Sequence, residues 1–269
     1  MEFATIWALR SAISGTDFLF TAGILMVAEG LMPRESHSVK SRLRGAVFWL
    51  ILIPTTTCIV LAFQMLLSRI GITPLIPADK PGWLPYWGAL LLGPLGGLLI
   101  GDFFFYWHHR AEHVFLWRFH RVHHSIRELN VLASYHHPTE EIWRSVLIVL
   151  PMALLIQWNA SEAYISILIF RLQTLYIHSS ARIQFGPLSY LLMDNRFHRI
   201  HHSTSPEHFD KNFGGITPLW DVLFGTAHFP AKGEWPETGL EDFPEPDGVA
   251  DYILSPIRPM ARPISQAGE

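Results

Sequence analysis

The chain has 269 residues, 49% of them hydrophobic, and a mean hydropathy of +0.23, with the apolar residues gathered in blocks as in a membrane protein that keeps a substantial aqueous part. A net charge of −3 and the lack of any basic tract argue against nucleic acid as a partner. The single cysteine, Cys58, excludes an internal disulfide, a CxxC redox pair and a cysteine-ligated iron–sulfur cluster.

In chain order, residues 1–13 are mixed and show no cleavable signal pattern. Residues 14–32 form a first candidate span, with Asp17 and Glu29 near its ends. A short loop follows, carrying Arg34, Lys40, Arg42 and Arg44, and such loops belong on the cytoplasmic side. Residues 46–67 are charge-free and long enough to cross a bilayer, with Pro54 expected to kink them. Trp83, Tyr86 and Trp87 read as headgroup-level aromatics. A third span, 88–106, has a Gly-rich middle suited to close helix approach, and Asp102 near its inner end is expected to face the histidines or their helix partners.

That span delivers the chain into HHRAEHVFLWRFHRVHH, residues 108–124. His109 and His113 are four apart, while His120, His123 and His124 are related as i, i+3 and i+4, so on a helix these positions are neighbours. The same HxxHH spacing recurs at His198, His201 and His202. Imidazole is the commonest neutral ligand for iron, zinc, copper and nickel. Eight such nitrogens exceed what one zinc takes, and HExxH is absent because Glu112 directly precedes His113. The pattern therefore implies a dinuclear metal centre.

Two crossings after a cytoplasmic 33–45 loop return 108–124 to the cytoplasm, and Arg110, Arg118, Arg121 and Arg127 agree with that side. Residues 142–158 and 163–178 read as a tight hairpin of two shorter apolar helices, in which Arg171 needs a partner. From 180 onward the chain reads as a cap, with an ordered irregular stretch over 203–228 and a Pro-rich extended tail that frays after about 255. The expected fold is all-α: an integral membrane helical bundle of about four to five membrane helices, with a cytosolic histidine-rich helical cap. The corresponding regions are 1–107, 108–228 and 229–269.

The other histidines divide by direction. His108 points about 100° away from His109 on a helix, which makes it a neighbour of the ligands or a solvent-facing residue. Of His136 and His137, which cannot share a face, His137 before Pro138 is the better candidate ligand. His178 ends an apolar helix and is a further candidate, whereas His37, His208 and His228 are set aside. Asp194, Asp210 and Asp221 are candidate acceptors that fix imidazole tautomers.

Over roughly 95–228 these residues resemble the fatty acid hydroxylase and sterol desaturase superfamily of membrane di-iron enzymes. DFFFYWHHRAEH, HRVHHS, LNVLASYHHPTE, YIHSS, RFHRIHHSTSPEHFDKNFGG and WDVLFGT are similar to that family's successive boxes. The resemblance implies two Fe ions held by His109, His113, His120, His123, His124, His137, His178, His198, His201 and His202, supported by Asp102, Glu140, Asp210 and Asn212. Some members have a further histidine near 171–182, where this chain has Arg171, Gln173 and Arg182 beside His178. The implied activity is dioxygen-dependent hydroxylation or desaturation of a lipid or sterol-like C–H bond. It implies a multi-pass protein of a bacterial cytoplasmic membrane or the endoplasmic reticulum. No GxGxxG fingerprint occurs, so electrons would come from a separate cytochrome b5-like or ferredoxin-like carrier with its reductase. A zinc-dependent membrane metallohydrolase and a non-enzymatic metal-binding membrane protein are the alternatives.

Overall fold

The structure, a computed structural model, describes residues 3–76 and 86–259. The described residues are helical apart from loops and isolated β-bridges. Helix α1 (Phe3–Leu31) and helix α2 (Val39–Ile70) are each long and apolar enough to cross a membrane. α2 opens on Ser38, whose hydroxyl accepts the Ser41 N–H at 3.1 Å, and closes on Gly71 in the left-handed region. Both helices run longer than the spans expected from hydropathy, so Arg42 and Arg44 of the basic loop lie within α2. The aromatic cluster's Trp83 falls outside the described residues, as do the side chains of Tyr86 and Trp87.

Helix α3 (Tyr86–Val114) carries the third apolar stretch and the first histidine pair in one continuous rod. A sharp turn at Phe115 and Leu116 leads into α4 (Trp117–His124). Helix α5 (Glu140–Arg144) runs through a π-helical turn, Ser145–Val149, into α6 (Leu150–Leu155). Pro151 lacks the N–H that an α-helical ladder would donate to Leu147, and the wider turn sits at that gap. Helix α7 (Ala160–Ile177) starts on Asn159, which caps Glu162 N–H at 2.9 Å, and completes the hairpin. Arg171 finds its partner in α1, donating to the Ser14 carbonyl and hydroxyl at 2.7 and 2.8 Å. Helix α8 (Asn195–His201) begins on Asp194, which accepts the Arg196 and Phe197 N–H groups, and α9 (Leu219–Leu223) follows. α1 packs on α2 and α7, α3 packs on α7 and α4, and α7 packs on α8.

The C-terminal region is more ordered than a fraying tail. It wraps the cap and forms α10 (Val249–Leu254) and a 3-10 turn, Ser255–Ile257, with Ser255 and Pro256 buried. Tyr252 is fully buried, stacked on Phe48 of α2 and edge-on to Tyr135, with its hydroxyl donating to the His136 carbonyl. Residues beyond 259 lie outside the described part.

Polar groups on the long helices pin the loops of the cap. Glu29, buried on α1, accepts the Val131 and Ser180 N–H groups at 3.1 and 3.0 Å with one oxygen and Arg42 at 2.9 Å with the other. Trp49 Nε1 donates to the Leu132 carbonyl at 3.1 Å. Gly45 lies so close to that loop that a Cβ there would stand 2.3 Å from the Leu132 oxygen. Glu29→Ala strands two backbone donors in the interior and is expected to cost about 3 kcal/mol. Glu29→Gln keeps an acceptor oxygen and loses only the charge opposite the partly exposed Arg42, for about 1 kcal/mol or less. Thermal midpoints in detergent check this: Ala should fall well below Gln, and equal midpoints would show that the staple carries no stability.

Candidate metal centre

Nine buried histidines converge in two groups. His109, His113, His120, His124 and His201 bring ligand atoms within 4.8 Å of one another, and His123, His178, His198 and His202 do the same. Helix geometry divides them. On α4 the i, i+4 pair His120 and His124 faces the first group, while His123, about 100° round the helix from His124, faces the second. On α8 the assignment is exchanged. His198 and His202 join the second group and His201 joins the first. His109 and His113, one turn apart on α3, complete the first group, and His178 at the end of α7 completes the second. The groups touch: the His124 and His202 rings stack at 4.5 Å.

The groups behind the rings set their protonation. His109 Nδ1 donates to the Phe213 carbonyl at 2.8 Å, His123 Nδ1 to the Tyr135 carbonyl at 3.0 Å, and His201 Nδ1 to the Lys211 carbonyl at 2.7 Å. His178 Nδ1 donates to the Thr174 carbonyl. His113 Nδ1 meets Asp210 at 3.1 Å and His120 Nδ1 meets Glu140 at 3.2 Å. A carbonyl only accepts, so in those four rings the proton is on Nδ1 and the Nε2 lone pair points inward. The inward nitrogens then crowd: His109 and His120 Nε2 are 3.1 Å apart, His113 and His124 3.1 Å, His123 and His178 3.1 Å, and His178 and His198 3.0 Å. His123 and His178 both have carbonyl-bound Nδ1, so their close approach joins two acceptors. The buried His201 Nε2 has no hydrogen-bond partner.

Burial holds these imidazoles neutral. It pushes His120 down to about 4 and lowers His123, His124, His201 and His202 well below the ordinary imidazole value, with neighbouring imidazoles adding to the effect. Neutral imidazoles with converging nitrogens are suited to ligate a metal. A metal about 2.1 Å from nitrogens at right angles sets neighbouring donors about 3.0 Å apart, close to the observed separations. Five and four imidazoles also exceed the three protein ligands of an open zinc site. The donor set thus fits two borderline transition-metal ions of higher coordination number, iron among them.

Not every residue singled out from the sequence lies with these rings. His137 joins neither group: its Nδ1 meets the Thr139 hydroxyl at 2.7 Å and its Nε2 the Ile253 carbonyl at 3.2 Å. The reason is local. Glu140 Oε1 accepts the His137 N–H at 3.1 Å, which turns this side chain outward toward the C-terminal strap. His136 takes the inner place, stacked on His123 at 3.7 Å and held to Glu140 at 2.9 Å. Asp102 does not reach an imidazole. Its carboxylate accepts the Gly215, Ile216 and Thr217 N–H groups at 2.9, 2.9 and 3.1 Å, fixing the loop whose Phe213 carbonyl receives His109. Asp221 grips the same loop through Phe213 and Gly214 N–H, and Gly214 has no room for a Cβ beside the Thr217 oxygen. Asn212, at φ 60°, holds the Phe197 and His228 carbonyls rather than a histidine ring. Asp210 and Glu140 alone of the expected supporting groups meet imidazoles. His108 is fully buried, 3.3 Å from Glu112, which is itself 3.6 Å from His120. Its i, i+4 relation to Glu112 was the one readable sign of that contact.

Long apolar helices carrying a capped pair of interleaved histidine groups define a class of membrane-type metalloproteins, and comparison with known proteins narrows it. The fatty acid hydroxylase family matches residues 94–226. Human alkylglycerol monooxygenase is 30% identical over 167 residues, covering 61% of this chain and 34% of that protein. The zebrafish (Danio rerio) alkylglycerol monooxygenase is 34% identical over 127 residues, 46% of this chain and 28% of that protein. The ornithine lipid hydroxylase of Rhizobium tropici is 28% identical over 269 residues, 93% of this chain and 75% of that protein. The chain thus spans about a third of the length of the alkylglycerol monooxygenases it matches. No solved structure matches it. The chain belongs to the fatty acid hydroxylase and sterol desaturase superfamily.

Two outcomes follow from the geometry. In chelator-treated protein, imidazoles whose folded pKa lies below the unfolded value of about 6.5 cost nothing while both states are neutral and penalise folding once the unfolded rings protonate. Stability should therefore be flat above about pH 7 and fall as pH drops from 6.5 toward His120's value of about 4. Thermal midpoints across that range test the sign. Separately, His137→Ala should keep the wild-type metal content while His201→Ala loses bound metal, as measured by elemental analysis; metal loss in the first variant would return His137 to the ligand set.

Proposed function

We propose that the chain is a multi-pass membrane oxygenase that uses two iron ions, dioxygen and external electrons to hydroxylate an unactivated C–H bond of a lipid. His109, His113, His120, His124 and His201 hold one ion, and His123, His178, His198 and His202 hold the other. The observation that carries this reading is the set of buried imidazoles whose inward nitrogens lie 3.0–3.2 Å apart, four of them with Nδ1 locked on a backbone carbonyl. Two ferrous ions held there would give dioxygen the electrons that convert it into an oxidant for the C–H bond, which no side chain provides. The chain's own residues do the rest. The carbonyls of Phe213, Tyr135, Thr174 and Lys211 keep each ring in its ligand tautomer, with Glu140 and Asp210 behind His120 and His113. Burial keeps water from the centre.

An apolar groove of about 440 Å³ between α3 and the α5–α6 arm suits a lipid chain. Phe103, Phe104, Trp107, Leu147, Leu150 and Leu154 line it, and His108 lies on its wall. The relatives named above act on an alkylglycerol and an ornithine lipid, by their names, and an amphiphile of that kind is the proposed substrate. Beyond α1 and α2, the apolar part of α3 and the α6–α7 hairpin are proposed to enter the bilayer. The Arg- and Lys-bearing 33–45 segment then puts the histidines on the cytoplasmic side, where an electron carrier can dock.

Family membership favours this oxygenase over a zinc hydrolase of similar ligands. Purified protein, a small carrier, its reductase, NADPH and candidate lipids under ¹⁸O₂ make the test. The expected product gains one ¹⁸O atom, and omission of the carrier abolishes turnover. Oxygen drawn from water instead, or zinc in place of iron on elemental analysis, would overturn the reading.

A further inference from the structure

A second cluster of metal-type side chains lies outside the nine-histidine centre. His208, His228 and Glu234 bring one ligand atom each within 4.8 Å of one another. His208 Nε2 and Glu234 Oε1 are 3.3 Å apart, and the two imidazole rings meet edge to face at 4.7 Å. His208 is buried and the other two are half-buried, so the cluster has an open side. We propose that these three residues form a separate binding site for one divalent transition-metal ion, with zinc as the matching probe. The reading of the histidine centre plays no part in this inference.

The three side chains are held before any ion arrives. His208 ends a 3-10 turn, Pro206–His208, and its Nδ1 lies 2.9 Å from the Ser203 hydroxyl, which also accepts the Ser205 N–H at 3.0 Å. His228 is clamped through its backbone: its N–H donates to Asn212 Oδ1 at 2.7 Å and its carbonyl accepts from Asn212 Nδ2 at 2.8 Å. Its ring makes no hydrogen bond among the described residues, which leaves its nitrogens free for a ligand. Glu234 accepts the Ala231 N–H at 2.6 Å with Oε2, leaving Oε1 turned to His208. Two imidazoles and one carboxylate, with an open side for water, are a donor set that zinc and its first-row neighbours take. A carboxylate also balances the charge of the ion in a way that nine neutral imidazoles do not.

The site joins two segments already paired nearby. Ser203 bridges Thr238, and the Thr204 N–H donates to the Glu237 carbonyl at 3.1 Å. An ion at His208, His228 and Glu234 adds a cross-link at the other end of the same strap, directly after His202 in the chain. Binding energy spent on the folded form alone raises stability, so the ion acts as a clip over α8.

The test uses the full chain with the metals it is purified with. Zinc is added in steps, loose metal is removed by gel filtration, and zinc and resident metal are counted together. One further zinc per chain with no loss of resident metal is expected, with a higher thermal midpoint. His228→Gln and Glu234→Gln should lose the extra zinc and the midpoint rise while keeping the resident metal, which also shows that they fold. Zinc gained only in exchange for resident metal, or an extra zinc retained by both variants, overturns the proposal. Should the variants fold poorly, the zinc X-ray absorption edge of the wild-type protein decides. Two imidazoles plus oxygen donors are expected, and a sphere of oxygen alone refutes the site.

Discussion

Nine neutral imidazoles turned face to face in a dry interior are the constraint on which this structure depends. Inward ring nitrogens lie 3.0–3.2 Å apart, and where both are acceptors, as in His123 and His178, they repel unless a cation receives them. Six of the nine rings are held from behind through Nδ1. In four of them that support is a backbone carbonyl: Phe213, Tyr135, Thr174 and Lys211. A carbonyl is only as well placed as its loop, so the accuracy of the centre becomes a matter of loop anchoring.

The anchors come from helices that a hydropathy plot treats as mere spans. Glu29 on α1 ties down the segment after Asn130 and the segment after His178 with one carboxylate oxygen. Gly45 and Trp49 on α2 seat the Leu132 loop, which leads directly to the Tyr135 carbonyl behind His123. Asp102 on α3 performs the same task for the loop of Phe213. Carboxylates of this kind are expensive in an apolar helix unless each oxygen is satisfied. Here they are satisfied by the backbone N–H groups they organise and, at the second Glu29 oxygen, by Arg42. Membrane-type helices and cap are thus one mechanical unit.

This explains which parts were legible in the sequence. The HxxHH spacing could be read because ligand direction on a helix is a matter of counting, and α4 and α8 are regular. His136 and His137 lie in a loop, where direction depends on what Glu140 binds, and counting assigns nothing there. Asp102 could be recognised as costly, yet its partners lie more than a hundred residues away in a glycine loop with no periodic signal. Helix α10 was hidden for a similar reason. A Pro-rich tail reads as extended, and only the buried slot between Phe48 and Tyr135 makes Tyr252 a core residue. His208 and His228 are twenty residues apart and share no helix, so no spacing joins them, and their meeting with Glu234 is a product of the strap's path.

The exchange of roles between the two HxxHH segments has a thermodynamic consequence. Were α4 to supply one group and α8 the other, each ion could bind and leave independently. Instead α4 gives two rings to the first group and one to the second, while α8 gives one and two. An ion held in either group would therefore touch both helices. Contacts shared between two sites are a basis for coupling between them, and here they comprise both helices and the stacked rings of His124 and His202. The repeated spacing, read as duplication, is better understood as the simplest way for two short helices to make two interdependent sites. An i, i+3, i+4 triplet always presents two rings to one side and one to the other. Two such helices facing each other with their middle histidines exchanged contribute three rings to each of the two groups.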